Sequence, residues 1–167
     1  MPELIEPTTR LRIAWLDAHA EWGPGAHEDG FGLEPSDHVH SADGFAAWVK
    51  RLTDDPRVTY RWIVDIDVVL GGIALRHIDD DYVSWAGHIG FGIRPTARRR
   101  GLAAWALATM LDHAQALGLH RALVVCAAQN MASAKTIERV GGILEGIRDT
   151  KYGPARRYWI ELPTNRC

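Results

Sequence analysis

The chain has 167 residues, a formal net charge of −2 and an apolar fraction of 47%. That describes an ordinary globular protein of single-domain size, read as one domain over 1–167. No apolar run approaches the roughly 20 residues of a membrane span. The near-neutral charge argues against nucleic acid, which asks for positive charge spread over a face.

Two cysteines are present, Cys126 in apolar strand sequence and Cys167 in the last position, so no structural disulfide is expected. The stretch Met1-Pro2-Glu3-Leu4-Ile5-Glu6 is acidic and lacks the basic-then-apolar order of a signal peptide, so the chain reads as cytoplasmic. The eight histidines fall in no metal-ligand spacing, and no metal is expected. A homodimer is compatible with the sequence but not fixed by it.

Leu4-Ile5 reads as a short first strand before Pro7. Thr8 or Thr9 caps a helix running to about Glu21, with Leu11, Trp15, Leu16 and Ala18 on its inner side. Trp22 to Gly32, rich in glycine and with Pro24, breaks every period and reads as a loop, which continues through Pro35 to His40. Ser41 or Asp43 caps a second helix over 44–52, carrying Phe45, Trp48, Val49 and Leu52 inward.

Residues 60–65 and 68–76 are apolar and rich in β-branched side chains, and read as a hairpin turning at Asp65-Ile66-Asp67. Residues 82–93 read as a third long strand. Gly90 and Gly92 within it suggest a bulge or a close backbone approach. A helix over 101–117, a strand over 120–126 and a helix over 131–140 follow. A closing hairpin has strands over 143–149 and 156–162, turning at Gly153-Pro154. The order predicts a mixed α/β sheet of about six or seven strands with about four helices.

Between the third strand and the helix that follows lies Arg98-Arg99-Arg100-Gly101-Leu102-Ala103. A basic, small-residue turn entering a helix can hold a pyrophosphate. Unpaired N–H groups of the first helical turn face the anion, and the helix dipole favours negative charge there. Gly101 and Ala103 leave room for the approach, and arginine adds planar multi-donor contacts.

Arg98-x-x-Gly101-x-Ala103 is similar to the Q/R-x-x-G-x-G/A signature of the GCN5-related N-acetyltransferases. Asn130-Met131-Ala132-Ser133, followed by Gly141-Gly142, matches that family's later N-x-x-S/A…G block, and the joint match spans about half of the chain. The resemblance implies a sheet with two splayed neighbouring strands and acetyl-CoA as co-substrate at the 98–103 turn. It implies pantetheine contacts from Asn130 and from backbone near Gly92 and Ile93. Asn130 also fits as the cap of the helix it precedes.

Acetyl transfer to an amine needs a polarised thioester, a neutral amine and a proton for the leaving thiolate. A lysine-like amine of pKa about 10.4 is neutral in on the order of 1 molecule in 2,500 at pH 7, a handicap of roughly 4–5 kcal/mol. Many relatives place a Tyr on the helix after Asn130 to protonate the thiolate; here that position falls at Ile137. Ser133, one turn earlier, resembles the serine of the ribosomal-protein N-terminal acetyltransferase subgroup, so Ser133 is the candidate acid. His88 stands where that subgroup carries a carboxylate and is the candidate base.

Glu21, Trp22, Glu28 and Asp29, with Trp85 and His88, supply carboxylates and indoles suited to a cationic, hydroxylated small-molecule amine. Glu21-Trp22-Gly23-Pro24-Gly25, Gly87-His88-Ile89-Gly90 and Arg156-Arg157-Tyr158-Trp159 also resemble enzymes that N-acetylate kasugamycin. That resemblance implies aminoglycoside N-acetylation, and hence resistance, by direct transfer in a ternary complex. A protein N-terminal acetyltransferase and a non-catalytic coenzyme A-binding sensor are the alternatives.

Overall fold

The computed structural model describes residues 1–23 and 30–163. Seven strands make one mixed, mostly antiparallel sheet in the order β1-β2-β3-β4-β5-β7-β6. They are β1 (Glu3–Ile5), β2 (Val58–Asp65), β3 (Val68–Arg76), β4 (Ile89–Ile93), β5 (Arg121–Ala127), β6 (Ile143–Thr150) and β7 (Gly153–Glu161). Five helices accompany them: α1 (Arg12–Trp22), α2 (Ala42–Asp54), α3 (Asp81–Ala86), α4 (Leu102–Ala116) and α5 (Met131–Arg139). Two compact units emerge, one of Met1–Ala74 with Phe91–Leu102, the other of Leu75–Gly90 with the chain from Ala103 onward.

The first unit is built on aromatic packing. Trp15 from α1, Phe45 and Trp48 from α2, Trp62 from β2 and Phe31 are all essentially inaccessible. Trp15 and Trp48 meet at 4.5 Å between ring centroids, and Trp48 stacks on Trp62 at 5.8 Å. Rings of this size contribute most of the apolar area available to a small core. The expected apolar faces of α1 and α2 are those buried here. The α2 cap is Ser41, whose hydroxyl accepts from Gly44 N at 3.0 Å. At the β2–β3 turn Ile66 adopts φ 57°, a left-handed conformation for a β-branched residue.

In the second unit β5 pairs along its whole length with β7, and β7 with β6. Strands β4 and β5 run parallel, joined by the single pair Ile89↔Val124. Leu107, Met110 and Ala114 of α4, Leu123 and Val124 of β5, Ile137 of α5 and Tyr158 of β7 are buried.

Two expectations are corrected. The long strand expected over 82–93 is a helix and then a strand. Asp80 caps α3 by accepting from Val83 N at 2.9 Å, and Gly87 ends it with φ 86°. An aspartate cap outweighs the strand preference of Tyr82-Val83, and it raises the helix count to five. The closing turn lies at Lys151-Tyr152, while Gly153 and Pro154 open β7. Thr150 organises it, its hydroxyl donating to Gly153 O at 2.7 Å and accepting from Tyr152 N at 3.1 Å.

Candidate active site

The basic turn is formed as its composition predicts. A short 3-10 turn over Pro95–Ala97 leads into it, and Arg98 is pinned by its Nε donating to Ile93 O at 3.0 Å. Arg99 and Gly101 both take left-handed φ values, 63° and 75°. Arg98, Arg99 and Arg100 are exposed. A Cβ built on Gly101 would meet no atom within 4 Å, so the backbone there faces open space. Leu102 is buried as the first residue of α4, with Ala103 half-buried behind it. A left-handed turn with exposed cations at the start of a 15-residue helix fits a polyphosphate.

Upstream, Gly92 is tightly overlaid: a Cβ on Gly71 of β3 would lie 2.3 Å from Gly92 O. The close backbone approach is therefore between Gly71 of β3 and Gly92 O of β4, whereas a Cβ on Gly90 would meet only the Arg76 guanidinium, at 3.4 Å. Ile93 is buried, and its carbonyl is occupied by Arg98.

Glu21 and Trp22, expected to meet an acceptor, are held within their own unit. Arg94, only 8% exposed, donates from Nε to Glu21 Oε2 at 2.5 Å, from Nη2 to Asp17 Oδ2 at 2.9 Å and from Nη1 to Val69 O at 3.2 Å. Thr96 N donates to the other Glu21 oxygen at 2.5 Å. Burial alone would raise the Glu21 carboxyl, but the bonds from Thr96 and Arg94 outweigh it and hold it below the ordinary value. Trp22 packs edge-on to Phe31 at 5.7 Å and joins the aromatic core. Glu28 and Asp29 lie outside the described residues.

In the other unit His88 is 5% exposed. Its Nδ1 accepts from Leu123 N at 2.9 Å, and its Nε2 lies 2.6 Å from Asp79 Oδ1. An acceptor at Nδ1 leaves the proton on Nε2, which therefore donates to Asp79. Neither ring nitrogen offers a free lone pair, which a proton acceptor needs, so the polar group presented to solvent here is Asp79. Trp85 packs against Tyr82 at 5.0 Å and Tyr152 at 5.7 Å. Lys151 Nζ sits 5.2 Å from the Trp85 ring centroid and 5.1 Å from that of Tyr152. The Arg76 guanidinium lies 4.7 Å over Tyr82. These rings already hold two cations.

Asn130 caps α5, its Oδ1 accepting from Ser133 N at 3.1 Å. Ser133 is half-buried, and its hydroxyl has no protein partner among the described residues. Ile137 is fully buried. Burial pushes the Cys126 thiol up to about 11, so it holds little thiolate at neutral pH. The Arg156–Trp159 stretch is engaged structurally: Arg156 donates to Ala128 O at 2.9 Å, Tyr158 to Glu138 at 3.0 Å, and Arg157 and Trp159 both to Glu145.

Asp79, Arg94, Lys151 and Tyr152 escaped sequence reasoning. Asp80, followed by the acidic first-turn residue Asp81, was a readable cap signal, and would have set Asp79 in a loop beside α3.

Among the described residues, no helix is long and apolar enough to cross a membrane, and no group of three His, Cys, Asp or Glu side chains is placed to hold a metal.

No curated protein matches the chain. Among solved structures, Mycobacterium smegmatis RimJ in complex with a CoA disulfide is similar at TM-score 0.77 and 18% identity, over 96% of this chain and 81% of that one. RimL, the ribosomal L7/L12 alpha-N-protein acetyltransferase, in complex with coenzyme A, is similar at TM-score 0.76 and 16% identity, over 96% and 94%. The microcin C7 self-immunity acetyltransferase MccE, in complex with acetyl-CoA and AMP, is similar at TM-score 0.72 and 14% identity, over 96% and 92%. At such identities these likenesses establish the fold. A family model described as an acetyltransferase (GNAT) domain matches residues 10–143, most of the chain and both of the compact units. The protein belongs to the GNAT family of N-acetyltransferases, with acetyl-CoA as its co-substrate.

Proposed function

We propose that the protein acetylates a primary amine on a cationic small molecule, with an aminoglycoside of the kasugamycin type as the leading acceptor. The observation that carries this reading is Lys151, whose ammonium lies over both Trp85 and Tyr152. That aromatic pair attracts an ammonium, and an acceptor's ammonium would take the place of Lys151 on it. Acetylation would remove a positive charge that such a drug uses to bind RNA, which amounts to resistance. In this reading the whole chain works as one acetyltransferase domain in the cytoplasm.

Acetyl-CoA, when bound, supplies an activated acyl carbon and a thiolate leaving group. Arg98, Arg99 and Arg100, with the backbone of Gly101, Leu102 and Ala103, bind its phosphates. Backbone groups of Gly92 and Ile93, and Asn130 beyond its capping role, orient the acyl-bearing arm. Ser133 Oγ gives a proton to the departing sulfur and is reprotonated, through water, by the proton the amine nitrogen releases as its bond to the acyl carbon forms. His88 and Asp79 together form the polar unit on the acceptor side. Transfer is direct in this reading, which accords with burial pushing the Cys126 thiol up.

Two variants test the two halves. Gly101→Glu puts a carboxylate into the open side of the turn and should abolish acetyl-CoA binding by calorimetry. Gly101→Asn, which tolerates left-handed φ, should retain most of it. Equal binding in both would remove the phosphate assignment. Trp85→Ala should raise KM for kasugamycin and spermidine by about 2- to 30-fold, the range of a cation–π contact. An unchanged KM would count against the cationic acceptor.

A protein N-terminal acetyltransferase is the second reading, favoured by the unpartnered Ser133 hydroxyl behind Asn130. It predicts a kcat/KM on N-terminal peptides that exceeds that on any aminoglycoside.

A further inference from the structure

We propose that Asp79 is the carboxylate that pairs with a cationic group of the acceptor, and that His88 is a positioning residue that aims it. This rests on the acetyltransferase reading above and divides the labour within its acceptor-side unit.

His88 first serves the fold. Its backbone N donates to Leu123 O at 2.7 Å, and its ring then takes the place of a strand partner by accepting from Leu123 N at 2.9 Å. That bond fixes one edge of the ring to β5 and sets the direction of the other nitrogen. A shorter asparagine has an acceptor at the Nδ1 position and would satisfy Leu123 N equally well. The second ring nitrogen is thus unnecessary for the sheet, and its contact is with Asp79 at 2.6 Å.

Asp79 gains little stability from this. Its side chain is 87% exposed while that of His88 is 7% exposed, and an ion pair with an exposed partner contributes little. A buried donor holding an exposed carboxylate at one oxygen leaves the other oxygen presented to solvent in a fixed direction. Fixing it beforehand removes the entropic cost of ordering it on binding.

The neighbouring charged groups are already committed. Asp80 is committed to the α3 cap, and Arg76 is committed to the Tyr82 face and to Gly87 O at 2.9 Å. The helix that begins two residues after Asp79 carries Tyr82 and Trp85, both already stacked with cations of the chain.

The test is steady-state kinetics with acetyl-CoA and either kasugamycin or spermidine. Asp79→Asn should raise KM for the amine by about 10- to 100-fold, the value of one hydrogen bond to a charged group. Its kcat and its affinity for acetyl-CoA should stay near wild type. His88→Asn, which satisfies Leu123 N but cannot reach Asp79, should reproduce that KM defect. His88→Gln, whose amide reaches the Nε2 position and donates, should restore much of it. The ¹⁵N shifts of His88 in the full chain should report a protonated Nε2 and an unprotonated Nδ1.

A wild-type KM in Asp79→Asn, or a collapse of kcat in His88→Gln with KM unchanged, overturns the proposal and returns the proton-accepting role to the imidazole. A wild-type enzyme that acetylates neither amine overturns the acceptor reading itself, and this assignment with it. The two failures are therefore distinct.

Discussion

Glu21 separates two accounts of the same carboxylate, acceptor binding or scaffold, and Glu21→Ala decides between them. In the structure both of its oxygens are in use, one by Arg94 Nε and one by Thr96 N. Removing the side chain deprives a guanidinium that is only 8% exposed of one partner and orphans a backbone N–H. Breaking a buried pair typically costs about 3–5 kcal/mol. The figure here is smaller, because Arg94 keeps Asp17 and Val69 O and the Glu21 side chain is 18% exposed to water. About 2–3 kcal/mol is expected, or a fall in Tm of about 4–12 °C for a chain of this size.

The loss should also depend on pH. The folded Glu21 carboxyl lies below its ordinary value. Its contribution is therefore fully present above about 4.3, the unfolded value, and fades as pH falls through the lower folded one. Urea midpoints of wild type and Glu21→Ala, measured by circular dichroism from pH 7 down to pH 3, should converge on the acid side. If Glu21→Ala were as stable as wild type at pH 7 but had lost its affinity for a cationic acceptor, the scaffold assignment would be refuted.

Substitutions at three other positions probe other parts of the structure. Gly71→Ala would set a methyl group 2.3 Å from Gly92 O; overpacking of this kind costs about 1–3 kcal/mol, seen as a lower urea midpoint, and an unchanged midpoint would mean that β3 and β4 can part freely. Ile66→Gly should stabilise by about 0.5–1 kcal/mol, since relief of left-handed strain exceeds the added chain entropy. Ile66→Ala, equally strained, should bring no such gain. Ser133→Ala should lower kcat about 100-fold, in the range of a general acid, with acetyl-CoA affinity unchanged; a wild-type rate would end the proton-donor assignment.

What was legible in the sequence was local. The Arg98–Ala103 turn announced itself because its glycine, its cations and the helix that follows are contiguous, and Ser41 and Asn130 cap the helices they precede. The 82–93 stretch was misread because Tyr82, Val83 and Trp85 favour strands, whereas a single aspartate bond to Val83 N decides the matter. Glu21 was read as facing an acceptor for a different reason. Its partner Arg94 lies 73 positions away, and no local pattern distinguishes a carboxylate facing solvent from one closing a buried ion pair. Separation in sequence likewise hid the commitment of the His88 ring to Leu123, 35 positions on. Composition and periodicity report helices, strands and turns, but which lone pairs remain free is decided by tertiary partners.

Product mass decides whether the protein transfers acetyl to a cationic small-molecule amine. The purified protein would be incubated with acetyl-CoA and a panel of kasugamycin, other aminoglycosides, spermidine and an N-terminal peptide, with thiol release followed in parallel. One acetyl group gained by a cationic small molecule, with matching thiol release, is the predicted result. Acetyl-CoA binding with no acetylated product from any of these amines, or acetylation of the peptide alone, would contradict it.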